Sequence, residues 1–159
     1  LGLLGGGAKM RVASSILETA GNPNTFESAV EMINENCFSV NTPKSLLQLS
    51  KKQMLEIRPP VLLGDFLACN EFDVSNQLNN VNIPTLIICG SEDRMMPLKY
   101  SERLRDGIVN SQLHVVDKAG HMVMAEQPDI VAGLLKQFID TFPKTKTMRV
   151  PLNGKADSV

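Results

Sequence analysis

Two hydrophobic patterns divide the chain. From Met10 to Leu78 the apolar residues recur at helical spacing, and no stretch reads as a strand. From Ile83 onward the pattern becomes strand, loop, helix, strand, loop, helix. Ile83 to Cys89 is almost continuously apolar and β-branched, which marks a strand buried on both faces of a helix-covered parallel sheet. Gly90 ends it, and Pro97 stands where a helix can begin without losing a bonded N–H. Leu98 to Ile108 is that helix, and Leu113 to Val116 is the next strand. Gln127 to Phe142 carries the widest stripe: Ile130, Val131, Leu134, Leu135, Phe138, Ile139 and Phe142 share one face, as a helix packed on a sheet requires.

The earlier part is read the same way. Leu1 to Leu4 is a short buried strand running into Gly5-Gly6-Gly7. Met10 to Ala20 is predicted as a helix stopped by Gly21-Asn22-Pro23, and Asn24 with Glu27 has capping-box spacing for the next. Phe26, Ala29, Val30 and Ile33 line that second helix. Thr42 and Pro43 open a third, lined by Leu46, Leu47, Ser50, Met54 and Ile57 and broken by Pro59-Pro60. Val61 to Phe72 is a helix or an irregular turn with Leu62, Leu63, Phe66 and Leu67 as its apolar side, and Asp73 caps a single turn through Leu78. The chain thus divides into a strand and exit loop (1–9), a helical region (10–80), an alternating strand-and-helix region (81–143) and a polar, aperiodic tail (144–159) expected to be disordered.

The bulk numbers add limits. A chain of 159 residues with 43% apolar content suits one ordinary domain. A formal net charge of −1 supplies no electrostatic reason to expect nucleic acid or an anionic membrane as partner, and no apolar run has the length of a membrane span. Cys37, Cys69 and Cys89 are odd in number and widely spaced, matching neither a disulfide framework nor a zinc pattern, so a reducing, cytoplasmic setting without metal is expected. Residue 1 is Leu and the chain starts inside an apolar run, which suggests that upstream sequence is missing.

The chemistry gathers after the strands. The triple glycine fails both phosphate-loop patterns: the sixth place from Gly5 is Met10, and Gly7 is followed by Ala8-Lys9 rather than Lys-Ser/Thr. Asp93 lies just past the first buried strand of the second half, and His121 just past the next. In open α/β sheets functional groups collect in the loops at the carboxyl ends of the strands. A histidine is a base near neutral pH, and a carboxylate on its other ring nitrogen fixes the tautomer and stabilises the imidazolium. Asp93 and His121 are therefore candidate acid and base of a nucleophilic triad. Met95, Met96, Met122 and Met124 flank the two loops; they either floor an apolar acyl pocket, with Met95 and Met122 as the candidates, or fill the core. Glu92 and Asp117 read as spare surface carboxylates, and Glu126 as a charge favouring the start of the last helix.

These residues resemble a known family. Gly90-Ser91-Glu92-Asp93-Arg94-Met95-Met96-Pro97 looks like the acid loop of the α/β-fold hydrolases, and Ala119-Gly120-His121-Met122 like their histidine loop. Pro84-Thr85-Leu86 and Glu126-Gln127-Pro128 are similar to the family's strand and helix openings. Leu1 to Lys9 resembles the sixth sheet strand, and residues 10 to 78 the helical cap after it. The resemblance implies the carboxyl-terminal half of an α/β-hydrolase fold: three parallel strands with flanking helices plus a helical cap. It implies a serine hydrolase acting on small-molecule carboxylic esters or related acyl compounds, with no cofactor and no metal. The chain order is Ser, acid, His, and Asp93 and His121 fill the last two places.

The nucleophile is absent. No Gly-x-Ser-x-Gly occurs, so the serine and the oxyanion donors are expected upstream of Leu1. Ser91 has no elbow, and Cys37 and Cys69 fall in the cap, so none replaces it. The chain alone is expected to be inactive. The rivals are a non-catalytic interaction scaffold of the same fold, and one half of a split hydrolase whose partner is a separate amino-terminal half.

Overall fold

The computed structural model describes residues 1–143; the tail expected at 144–159 lies outside the described residues. Three strands form one parallel sheet in the order β1 (Gly2–Leu4), β2 (Thr85–Gly90), β3 (Ser111–Val116). Leu3 stands beside Ile87, and Ile88 beside His114. β2 is central and every residue in it is buried. Its side chains alternate across the sheet as the pleat dictates. Leu86 and Ile88 pack with Val116, Val123 and Val131, while Ile87 faces Leu104, Ile108 and Leu78. Helix α5 (Leu98–Gly107) therefore covers one face, and α6 (Val123–Glu126) with α7 (Pro128–Asp140) covers the other.

The strand boundaries move slightly. β2 starts at Thr85: Ile83 is 56% exposed, and Pro84 has no N–H to give to a ladder. The stripe on α7 is only partly covered: Val131 is buried, whereas Ile130, Ile139 and Phe142 are exposed.

Between β1 and β2 the chain forms α1 (Ser14–Ala20), α2 (Phe26–Cys37), α3 (Lys44–Leu55), α4 (Pro59–Glu71) and a 3₁₀ turn, Leu78–Asn80. They build a second core from Ile16, Phe26, Val30, Ile33, Phe38 and Leu62. Pro59 and Pro60 open α4 as well as ending the preceding segment. Three local expectations are corrected. Helix α1 begins at Ser14, not Met10, because the Met10 amide donates to the Phe72 carbonyl and the Val12 amide to Asn70 Oδ1, which hold that stretch extended against the end of α4. The Asn24–Glu27 capping box does not form; Thr25 is the cap residue and its hydroxyl donates back to the Thr19 carbonyl. Ile57 lies beyond the end of α3 and is exposed. Among the described residues no helix is long and apolar enough to cross a membrane.

Candidate active site

Asp93 and His121 come together at the carboxyl edge of the sheet. β2 ends at Gly90 and the chain turns at once, the Asp93 amide donating to the Gly90 carbonyl. β3 ends at Val116 and leads through Lys118, which has a positive φ of 56°, to His121. Because β2 and β3 are neighbours, both turns open on the same edge. His121 Nδ1 lies 3.0 Å from Asp93 Oδ2. Asp93 is only 5% exposed, and its other oxygen accepts the Met96 amide at 2.7 Å. That second bond sets the carboxylate's orientation, so the ring meets a fixed acceptor.

His121 lines a cavity of about 500 Å³ between the sheet edge and helices α1, α2 and α4. Leu4, Gly5 and Gly6 contribute from the end of β1, and Ile16, Met32 and Phe66 from α1, α2 and α4. Met95 and Met96 line it from the acid loop. Met122 does not line it; that side chain packs against the cap core, and its amide donates to the Cys37 carbonyl at 3.1 Å. Of the two methionines expected at the pocket, the cavity includes Met95.

The segment from Glu35 to Thr42, at the end of α2, grips both loops. From the acid loop, Arg94 Nη2 donates to the carbonyls of Glu35 and of Phe38, the latter at 3.2 Å, and Glu92 Oε2 accepts the Val40 amide at 3.3 Å. From beyond the histidine, Glu126 Oε2 accepts the Ser39 amide at 2.8 Å and the Thr42 hydroxyl at 2.6 Å, while its Oε1 accepts the Gly120 amide at 2.8 Å. The roles assigned from sequence to Glu126, Glu92 and Thr42 are thereby corrected: all three tie the segment after α2 to the Asp93 and His121 loops. Capping-type local signals point to Thr42 and Glu126 but cannot reveal bonds between segments so far apart in the chain.

Three backbones are stacked here. A β-carbon on Gly90 would lie 2.2 Å from the Gly120 carbonyl oxygen, and one on Gly120 would lie 2.8 Å from the backbone of Cys37, Phe38 and Ser39. Gly120 is needed for this close approach and not for a tight turn, since its φ is not positive.

The other candidates are placed elsewhere. Ser91 Oγ donates to Asp117 Oδ1 and accepts the Lys118 amide, a turn-stabilising role. Cys37 is buried, and burial, with Asp93 and Glu126 nearby, pushes its thiol up to about 11, away from the nucleophilic thiolate. Cys69 lines the cavity from α4. All three cysteines are free. Among the described residues no group of three or more His, Cys, Asp or Glu is placed to hold a metal.

Comparison with known proteins bears on the fold. A family model described as alpha/beta hydrolase fold matches residues 43–128. The 2-hydroxymuconate semialdehyde hydrolase of Pseudomonas putida is 40% identical over 82 residues, covering 51% of this chain and 28% of that protein. The monoacylglycerol lipase ABHD6 of Rattus norvegicus is 29% identical over 126 residues, covering 74% of this chain and 36% of that one. A solved thermophilic esterase superposes with a TM-score of 0.79 at 33% identity, covering 89% of this chain and 56% of its own. The chain spans well under two thirds of the length of each of these proteins.

Proposed function

This chain belongs to the alpha/beta hydrolase fold family, and from that premise we propose that it carries the acid and the base of a serine-hydrolase triad for carboxylic esters or related acyl compounds. Asp93 is the acid and His121 the base; the serine and the oxyanion donors come from outside these 159 residues. The observation that carries the reading is the 3.0 Å contact between His121 Nδ1 and a buried carboxylate whose second oxygen is already bonded. With Nδ1–H held by Asp93, the neutral ring presents Nε2 as the free acceptor. Nε2 takes the serine proton as the hydroxyl attacks the acyl carbon, and returns it to the leaving alkoxide. Water repeats the cycle on the acyl-enzyme. Asp93 stays ionised throughout and stabilises the imidazolium.

The test is complementation. Joined to an amino-terminal hydrolase half bearing Gly-x-Ser-x-Gly, the chain is expected to restore hydrolysis of a short p-nitrophenyl ester that it does not catalyse alone. Asp93→Ala and His121→Ala should each remove the restored turnover. Restored turnover that survives His121→Ala would overturn the assignment.

A further inference from the structure

The cavity beside His121 has a one-sided charge. The chain as a whole is balanced, with 16 Lys and Arg against 17 Asp and Glu. The cavity is not: among the described residues Arg11 and Arg94 line it, and no Asp or Glu does. The two guanidinium groups differ. Arg94 is committed to the carbonyls of Glu35 and Phe38, neutral acceptors that leave its charge uncompensated. Arg11 is exposed, and among the described residues its guanidinium has no hydrogen-bond or ion-pair partner. It sits on the extended Met10–Ala13 stretch, at the boundary between this cavity and a neighbouring groove that adds Lys9 and Arg103. The single carboxylate of that groove, Asp73, is occupied by Lys9 and by the Ser75 amide. An exposed guanidinium with its donors in a planar fork, on the lining of a cavity where the described residues include two arginines and no carboxylate, matches a carboxylate better than any neutral group.

We propose that the acyl substrate of this site is itself an anion: an ester whose acyl chain ends in a second carboxylate, with its carbonyl at His121, its methylenes along Ile16, Met32, Phe66 and Met95, and its carboxylate on Arg11. The assignment rests on reading the cavity as the acyl site of the proposed hydrolase. It adds what that reading leaves open, the charge of the substrate. No bond is made or broken at Arg11; its contribution is to affinity and to the direction in which the chain enters.

The experiment is a binding titration of the 159-residue chain followed by nuclear magnetic resonance at the His121 ring and the Met95 methyl. The two probes are methyl hydrogen adipate, which is anionic, and methyl hexanoate, a neutral ester of the same acyl length. The anionic ester is expected to bind about tenfold more tightly, the scale of one charge-assisted hydrogen bond. Added salt should weaken the anionic ester alone. Arg11→Gln should lower the affinity of the anionic ester alone and remove most of the difference, and Arg11→Lys, which keeps the charge without the fork, should restore part of it. Equal affinities in the unaltered chain, or a preference undiminished in Arg11→Gln, would overturn the proposal while leaving the acyl-site reading in place. If neither ester moves the His121 or Met95 signals, both fall together.

Discussion

Glu126 binds Gly120 and Thr42 at once, one carboxylate oxygen on the amide next to His121 and the other on the cap hydroxyl. The same second oxygen also takes the Ser39 amide. Glu126 is therefore a positioning residue: it touches neither the cavity nor the His121 ring, yet it fixes the backbone on which that ring stands.

Replacing Glu126 with Ala should cost about 2–3 kcal/mol, because buried donors are left without acceptors. Gln keeps an acceptor for one side only, since its amide nitrogen cannot accept, so Glu126→Gln should fall between. Urea denaturation measures the loss. Amide exchange at Gly120 and Ser39 should quicken in both variants, and unchanged exchange would separate Glu126 from the histidine loop.

Asp93 offers a second contrast. Asp93→Asn keeps an oxygen for the Met96 amide, so the fold should lose less than the roughly 1–3 kcal/mol expected for Asp93→Ala. The altered side chain no longer holds the correct tautomer of His121. In the complemented hydrolase, Asp93→Asn should lower turnover about ten-thousandfold at nearly native stability. Thermal melting and ester hydrolysis on the same samples check the two halves of this expectation.

Gly120→Ala forces a methyl against three backbone atoms at 2.8 Å. Neither neighbour is a flexible side chain, so the strain should be at or above the usual 1–3 kcal/mol of overpacking. Gly133 lies in α7 with open space around its α-carbon, so Gly133→Ala should be neutral or stabilising. Melting temperatures of the two variants should move in opposite directions or differ by several degrees.

Cys37 sets an alkaline limit. In the unfolded chain its thiol ionises near the ordinary value of 9.0, whereas in the folded chain burial raises it to about 11. The native state therefore holds a proton that the unfolded state releases. The contribution to stability is fully present below pH 9 and is lost as pH rises toward 11. Stability measured against pH should fall less steeply across that interval in Cys37→Ala than in the native chain. At neutral pH a thiol reagent should modify Cys69, which is partly exposed, before Cys37.

The parts legible from sequence were those written in local pattern. Leu86 to Cys89 could hardly be anything but a buried strand, and the loops after it and after the next strand hold Asp93 and His121. The family match and the strand order support that much of the fold. What stayed hidden depends on contacts between distant segments. Helix α1 starts late because of acceptors on α4, and the partner of Glu126 stands 87 residues away at Ser39. The carboxylate that appeared to serve its own helix serves the cap instead. Arg11 lay in an unremarkable Lys-Met-Arg stretch, and only the fold brings it to the cavity lining.

The grip of residues 35–42 on both loops bears on how such proteins diversify. A cap exchanged at its outermost boundaries, before Ser14 and after Asn80, would bring a foreign stretch to Arg94, Glu92, Glu126 and Gly120. The incoming backbone would have to offer carbonyls and amides at the same places, and pass within contact distance of a glycine that tolerates no displacement. A chimera that retains Glu35 to Thr42 and replaces only α3 and α4 avoids this demand. The cut that leaves the partners of both loops in place therefore falls after Thr42, inside the helical region and not at its ends.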